Sequence, residues 1–201
     1  MRYGKNQDDQ QNTDLEMLIE AARNGDQSAC AAIYREFVRP TYRLCYGVLL
    51  NEQDAEEVMQ DSMTYAFRNL HHFDSTKSSF RTWLYTISMS RCRNKRRRKW
   101  LPQVNLADVA EWLPGSESPP ESVIEHEGVR DIIFRGLKQL SPKLREAVVL
   151  RYFDGLSYRE MAEVLNCPQK TAESRIRLAH QNLRDILIEY RDGLPEGVFN
   201  L

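Results

Sequence analysis

Nine residues, Arg-Cys-Arg-Asn-Lys-Arg-Arg-Arg-Lys at 91–99, hold seven of the chain's 28 Lys and Arg. They follow an aromatic, polar stretch at 71–85, HHFDSTKSSFRTWLY. Single-stranded nucleic acid calls for this pairing: cations meet the phosphates and ring faces meet unstacked bases. A charge run is more often a solvated helix end. The aromatic neighbours and the polar loop at 75–79 favour the nucleic-acid reading here. Phe80 and Trp83 fall on the apolar face of a helix over this segment, which places them in the core. Thr82, Tyr85, Thr86 and Met89 point the other way and are the better contact candidates.

A second constellation lies near the C-terminus. Ser157-x-x-Glu160 has the form of a capping box. It opens a short helix to Leu165, and Asn166-Cys167-Pro168 turns the chain into a long helix at about 169–188. Two helices joined by a tight turn, the second longer and amphipathic, form a helix-turn-helix candidate. Ala172, Ile176, Ala179, Leu183 and Leu187 share one face of the last helix. Lys170, Glu173, Ser174, Arg177, Gln181 and Arg184 share the opposite one. Residues early on such a face enter a major groove. Arg177 can donate to guanine edges, Ser174 can donate or accept, and Glu173 can accept from cytosine N4.

A third cluster is acidic. Residues 51–61 carry five carboxylates and no base. Asp54 and Glu56 suit a helix N-terminus through the helix dipole. Glu57, Gln60 and Asp61 extend past the first turn, which points to a basic protein partner.

The net charge of −1 conceals these blocks. Residues 75–107 hold nine cations and no acid, whereas 100–129 hold six acids and no cation. Separated blocks indicate several charged partners. The near-zero total argues against tight, unaided binding to a polyanion. There is no GxxxxGK phosphate loop, no HExxH and no carboxylate cluster at metal-ligand spacing. Cys30, Cys45, Cys92 and Cys167 are scattered, with no CxxC, so buried reduced thiols, no metal and no cofactor are expected. No apolar run reaches membrane-spanning length, and the polar first residues do not form a secretory signal, which together point to the cytoplasm.

These side chains must be positioned by helices, because nothing alternates like a strand over more than a few residues. Residues 101–128 hold half of the prolines and read as an extended acidic linker, with one short helical turn near 107–112. The expected division is a disordered start at 1–12, a helical domain at 13–100, the linker, a helix-turn-helix domain at 129–190 and a flexible tail at 191–201. In the first domain Thr13-x-x-Glu16 is a capping box, Gly25 ends the first helix and Asp26 caps the second. Pro40 kinks the second helix, Asp54 begins the third and the fourth starts near Ser79. In the second domain Ile132, Ile133 and Leu137 line a helix at 129–140. Ser141-Pro142 starts the next, with Leu144, Val148 and Tyr152 inward, and Gly155 breaks it.

The chain resembles an extracytoplasmic-function (group 4) sigma factor of bacterial RNA polymerase. DAEEVMQDSMTYAFRNL resembles the family's region 2.2, and SSFRTWLYTISMSRCRNKRRRK its region 2.3–2.4. LSPKLREAVVLRYFDGLSYREMAEVLNCPQKTAESRIRLAHQNLRDIL resembles region 4, and 14–50 is similar to region 2.1. The region 4 pattern alone also fits LuxR-type regulators; the ordered pair across a Pro-rich linker is far more specific. The resemblance implies an all-α fold of two small domains, a four-helix region 2 bundle and a region 4 helix-turn-helix. Asp54, Glu57, Gln60 and Asp61 would dock on the β′ clamp coiled coil of core RNA polymerase, with the β flap a further contact. Lys77, Arg81, Thr82, Tyr85, Arg91, Arg93, Arg96, Arg97 and Arg98 would hold the melted −10 element. Lys170, Glu173, Ser174, Arg177 and Gln181 would read the −35 element. The linker would thread polymerase channels. Promoter DNA and an anti-sigma factor are the other implied partners, and catalysis belongs to the polymerase. Glu173 and His180 stand where the family usually has basic residues, so this reading helix is less cationic.

The two elements lie about 25 base pairs apart, or roughly 85 Å of B-DNA. A linker over 101–128 spans at most roughly 90 Å fully extended and averages only about 30 Å as a free coil. The chain alone is therefore expected to bind promoters weakly, with core polymerase holding the domains apart. The rival from another class is a helix-turn-helix regulator that binds a palindromic operator without being a polymerase subunit. Its weakness is a first half that lacks a sensor-like α/β pattern.

Overall fold

The computed structural model describes residues 5–100 and 129–188, and side chains over 13–99 and 133–184. Among these every regular element is helical: α1 (Lys5–Arg23), α2 (Gln27–Leu49), α3 (Glu52–Arg68), α4 (Phe80–Trp100), α5 (Val129–Gln139), α6 (Pro142–Val148), α7 (Tyr158–Leu165) and α8 (Gln169–Ile188). The expected linker with its helical turn, and the tail at 191–201, lie outside the described residues.

Local chemistry sets most boundaries. Gly25 takes φ +89° after α1, a left-handed conformation open to glycine at little cost. Asp26 Oδ1 then accepts the Ser28 and Ala29 amides, satisfying donors that a helix start leaves free. Pro40 sits inside α2 without ending it. Leu50, in the left-handed region, closes α2 by donating its amide to the Tyr46 carbonyl. Ser157 and Glu160 form the expected capping box on α7, and left-handed Asn166 ends that helix.

Four expectations change. α1 begins at Lys5, so Thr13 lies inside the helix and residues 5–12 belong to it; Lys and Gln are good helix formers and no Pro or Gly intervenes. α3 begins at Glu52, capped by Asn51 whose Oδ1 accepts the Asp54 amide at 2.9 Å. Tyr152 is 46% exposed instead of inward. It falls in a turn of π-helix, Val149–Phe153, whose extra residue rotates the helical period off the buried face. Ile133 is likewise exposed, while Leu137 is buried.

The first half packs α2 against α1, α3 and α4. Ile33, Leu44, Val48, Ala55, Met63, Leu84 and Met89 form its centre. Phe80 meets Phe37 and Phe73 edge-on, with ring centroids 4.9 and 5.4 Å apart, which anchors the 71–79 loop to α4. Arg23 donates to the Leu70 and Phe73 carbonyls from α1 and pins the same loop. The second half folds α5, α6 and α7 around α8 through Leu137, Leu140, Ala147, Met161, Val164, Ala172, Ile176 and Ala179. All four cysteines are free thiols; Cys45 and Cys92 are buried, whereas Cys30 and Cys167 are half-exposed.

The two halves touch. α2 meets α6 and the π-turn, and α4 meets α7. Gly47 lets α2 approach the Val149 and Phe153 side chains. Tyr46 and Phe134 meet across the same seam with ring centroids 4.9 Å apart and planes tilted by 59°.

Candidate nucleic-acid interfaces

α4 carries most of the expected −10 residues, and the seam covers part of them. Tyr85 is fully buried and its hydroxyl donates to Asp154 Oδ1 at 2.9 Å. Burial, and then the Asp154 charge, push the phenol well above its ordinary range, so it remains a donor. Thr82 is buried, its hydroxyl sharing a 2.9 Å hydrogen bond with Ser79. Met89 is also buried. The expectation that these three face outward is corrected: α4 packs on α2 and α3 with one face and on α7 with another, so few of its positions remain open. Thr86 does remain exposed.

The cations of α4 divide in the same way. Arg81 reaches Glu160 Oε1 at 3.4 Å. Arg93 binds Glu146 Oε2 through Nη2 at 2.8 Å and Nε at 3.1 Å, and Arg96 Nη2 binds Oε1 at 3.1 Å. The Glu146 side chain is 2% exposed. A carboxylate so buried loses its hydration, and two guanidiniums replace it. Arg91 lies over the Tyr65 ring at 4.7 Å. Arg97 and Arg98 are exposed. Lys77 is 80% exposed, 3.0 Å from Asp74. Asp74 Oδ1 accepts the Thr76 amide and hydroxyl at 3.0 and 2.6 Å, which holds the turn, and Thr76, then Lys77, keep its carboxyl down to about 2.

The acidic cluster of α3 meets the basic run directly. Glu57 accepts from Lys95 at 2.5 Å and keeps that ammonium above its usual range. Asp54, 8% exposed, pairs with Lys95 at 3.6 Å and with Lys99. Gln60 and Asp61 are exposed. Half of the cluster thus neutralises α4, and half faces outward.

On α8 the amphipathic division is as expected. Ala172, Ile176, Ala179 and Leu183 are buried, and Lys170, Arg177 and Gln181 are exposed; the Leu187 side chain lies outside the described residues. Glu173 accepts from Gln169 at 2.9 Å and Ser174 donates to the Lys170 carbonyl at 2.8 Å. Glu173, Arg177 and Gln181 line one open groove of about 690 Å³. His180, its proton affinity lowered by burial and Arg184, holds Tyr152 at 2.5 Å beside it.

Glu146, Asp154, Arg43 and Arg145 were absent from the sequence-based candidates. Arg43 lies 3.7 Å from Asp154, and Arg145 Nη1 donates to the Val48 carbonyl at 3.3 Å across the seam. One signal for Glu146 was available: a lone carboxylate three and four residues before buried Val149 and Leu150 shares their face. Among the described residues no cluster of His, Cys, Asp or Glu could hold a metal ion, and no helix is long and apolar enough to cross a membrane.

A four-helix body with a basic helix, followed by a helix-turn-helix with an open polar reading face, defines a bipartite DNA-binding protein. Two family models match in that order: Sigma-70 region 2 over residues 33–101, and Sigma-70, region 4 over residues 130–183. The ECF RNA polymerase sigma-E factor of Escherichia coli (strain K12) is 32% identical over 174 residues, 83% of this chain and 90% of its own. ECF RNA polymerase sigma factor SigW of Bacillus subtilis (strain 168) is 31% identical over 85% of this chain and 95% of its own. The fold is similar to that of CnrH in complex with the cytosolic domain of CnrY, with TM-score 0.62 and 24% identity over 86% of this chain and 96% of that one. The sigma factor RpoE from Bartonella quintana, solved with the anti-sigma factor NepR, gives TM-score 0.59 and 24% identity over 78% and 97%. The chain belongs to the extracytoplasmic-function sigma factors of RNA polymerase. It is a sigma factor, with region 2 in the first half and region 4 in the second.

Proposed function

We propose that the chain works by exchanging its seam for promoter DNA on core polymerase. The exposed acids of α3, Glu57 and Asp61, with the Gln60 amide between them and Asp54 behind, dock on the basic clamp coiled coil of β′, and the second half rests on the β flap. Separation of the halves frees Arg81, Tyr85, Arg93 and Arg96, which with Lys77, Thr82, Arg91, Arg97 and Arg98 hold the opened −10 strand. Lys170, Glu173, Ser174, Arg177 and Gln181 read the −35 major groove. The chain catalyses nothing itself and acts in the cytoplasm. Its binding energy offsets unstacking, which costs a few kcal/mol per base step.

One observation carries this reading: region 2 and region 4 matches in order, with the α8 reading face open and much of the α4 face closed. A closed free chain would bind promoters weakly without polymerase, since the paired α4 cations are not available to DNA. By analogy with the relative solved with an anti-sigma factor, such an inhibitor would hold the same two halves.

The test is run-off transcription with core polymerase on a promoter library, with and without this chain. The expected result is new start sites that share two spaced elements. Failure to associate with core, or association without initiation, overturns the reading.

A further inference from the structure

The ion pairs of the seam leave a charge imbalance behind. Beside them lies a cleft of about 530 Å³ between α4 and the second half, lined by Arg93, Arg96 and Arg97 from one side and by Lys143, Glu146 and Arg175 from the other. Five cations thus surround one carboxylate. Both oxygens of that carboxylate are already bound, Oε2 by Arg93 and Oε1 by Arg96. Behind the cleft wall, Arg96 Nη1 is buried with no hydrogen-bond partner among the described residues, an uncommon state for a buried polar atom that leaves its charge short of compensation. Among the described residues Arg97 bonds only to Asn94, one turn back on its own helix. No acidic partner meets Lys143 or Arg175 among the described residues. The cleft is large enough for a small ligand, and guanidinium forks match phosphoryl oxygens in pairs.

We propose that this cleft binds a compact polyphosphate, a chain of adjoining phosphoryl groups, which bridges the two halves. Neither half builds the site alone, because three cations come from region 2 and two from region 4. The ligand therefore favours the closed form over any open one by linkage. If Arg93, Arg96 and Arg97 serve promoter DNA as proposed above, the bound anion also lowers initiation; that consequence rests on the earlier reading, and the site itself does not. The chemistry has two sources, an inorganic polyphosphate or the phosphate chain of a nucleotide.

Isothermal titration of the full-length chain with inorganic tripolyphosphate, and separately with a nucleoside 5′-triphosphate, distinguishes them. Both are run against sodium chloride at matched ionic strength, since general attraction is screened by salt. One site per chain is expected. Lys143→Glu with Arg175→Glu should weaken it on the order of tenfold or more. Arg35→Glu with Lys138→Glu makes the same change in net charge at exposed positions outside the cleft and should leave it within about twofold. Circular dichroism shows whether each variant keeps its helices. A second measurement uses energy transfer between dyes placed on α2 and α7 in a Gly47→Ala chain, whose added Cβ would crowd Val149 and Phe153 across the seam; tripolyphosphate should bring its halves closer. Equal weakening in both variants, several weak sites that vanish with salt, or no change in dye separation overturns the proposal. Tighter binding of the nucleotide assigns the base a role, whereas equal affinity assigns recognition to the phosphates. Binding without any effect on transcription would refute the promoter reading of these arginines and leave the anion site standing.

Discussion

Tyr85 on α4 and Asp154 after the π-turn meet at 2.9 Å, oxygen to oxygen, across the boundary between region 2 and region 4. A side chain expected on DNA thus spends the closed state as a hydrogen-bond donor to the other half of its own chain.

Gly47 measures how tightly the halves fit. Alanine at a helix interior is normally favoured over glycine by about 1 kcal/mol. Here the added Cβ would lie 2.8 Å from Val149 Cγ2 and 3.1 Å from Phe153 Cε2. Gly47→Ala should therefore push the halves apart while helix content holds. The expected readouts are a longer distance between dyes on α2 and α7 and tighter binding of single-stranded −10 DNA by the free chain. An unchanged distance would show that the contact is soft.

Asp154 gives the boundary a pH dependence. Its side chain is 2% exposed, and burial raises its carboxyl above 3.8 although Tyr85, Arg43 and Arg81 all face it and pull the other way. The closed form therefore binds the proton more readily than the open one. Closure is favoured as pH falls toward 3.8 and weakens as pH rises through the raised value. Asp154→Asn keeps an acceptor for Tyr85 and should flatten this dependence. Dye separation followed from about pH 4 to 8 checks it, and an identical slope in the variant would assign the effect elsewhere.

Arg177 and Arg98 should fail in different ways. Arg177→Ala should cost about 1–3 kcal/mol at one or two −35 positions and relax preference there. Arg98→Ala should weaken all promoters alike and reduce the salt slope by about 0.7, the value for one single-strand phosphate. Competition between promoter variants at two salt concentrations separates the outcomes. The same sequence-selective defect in both would contradict the division of roles.

Ser157→Ala removes the cap that starts α7, where Ser157 accepts the Glu160 amide and Glu160 accepts the Ser157 amide in return. The loss should be about 1 kcal/mol, or roughly 2–4 °C in Tm for a chain of this size. Differential scanning calorimetry reads it. A change well under 1 °C would mean that packing alone fixes the α7 start.

Much of the fold could be read from residues that act on their near neighbours. Asp26, Ser157 and Asn166 each mark a boundary because a short side chain or a left-handed backbone satisfies groups one turn away. Ala172, Ile176, Ala179 and Leu183 mark a buried face by spacing alone. Asn51 and Asp54 are both good caps in sequence, and only geometry separates them. Tyr152 departs from the buried face because a π-turn breaks the period of about 3.6 residues there. The seam was hidden for a different reason. Arg81, Arg93, Arg96, Glu146 and Asp154 are charged, and a charged residue in sequence reads as solvated or ligand-binding. Pairings between residues 50 or more positions apart leave no periodic trace.

Arg145 decides what moves when the chain opens. Its guanidinium donates to the Leu137, Lys138 and Leu140 carbonyls within the second half, at 2.7, 3.1 and 3.2 Å, and to only one carbonyl, that of Val48, in the first. Opening removes that single outside anchor and leaves the α5–α6 corner tied on three sides. Region 4 would then travel as a preassembled lever, its reading helix already aimed, and arrive at DNA without having to refold.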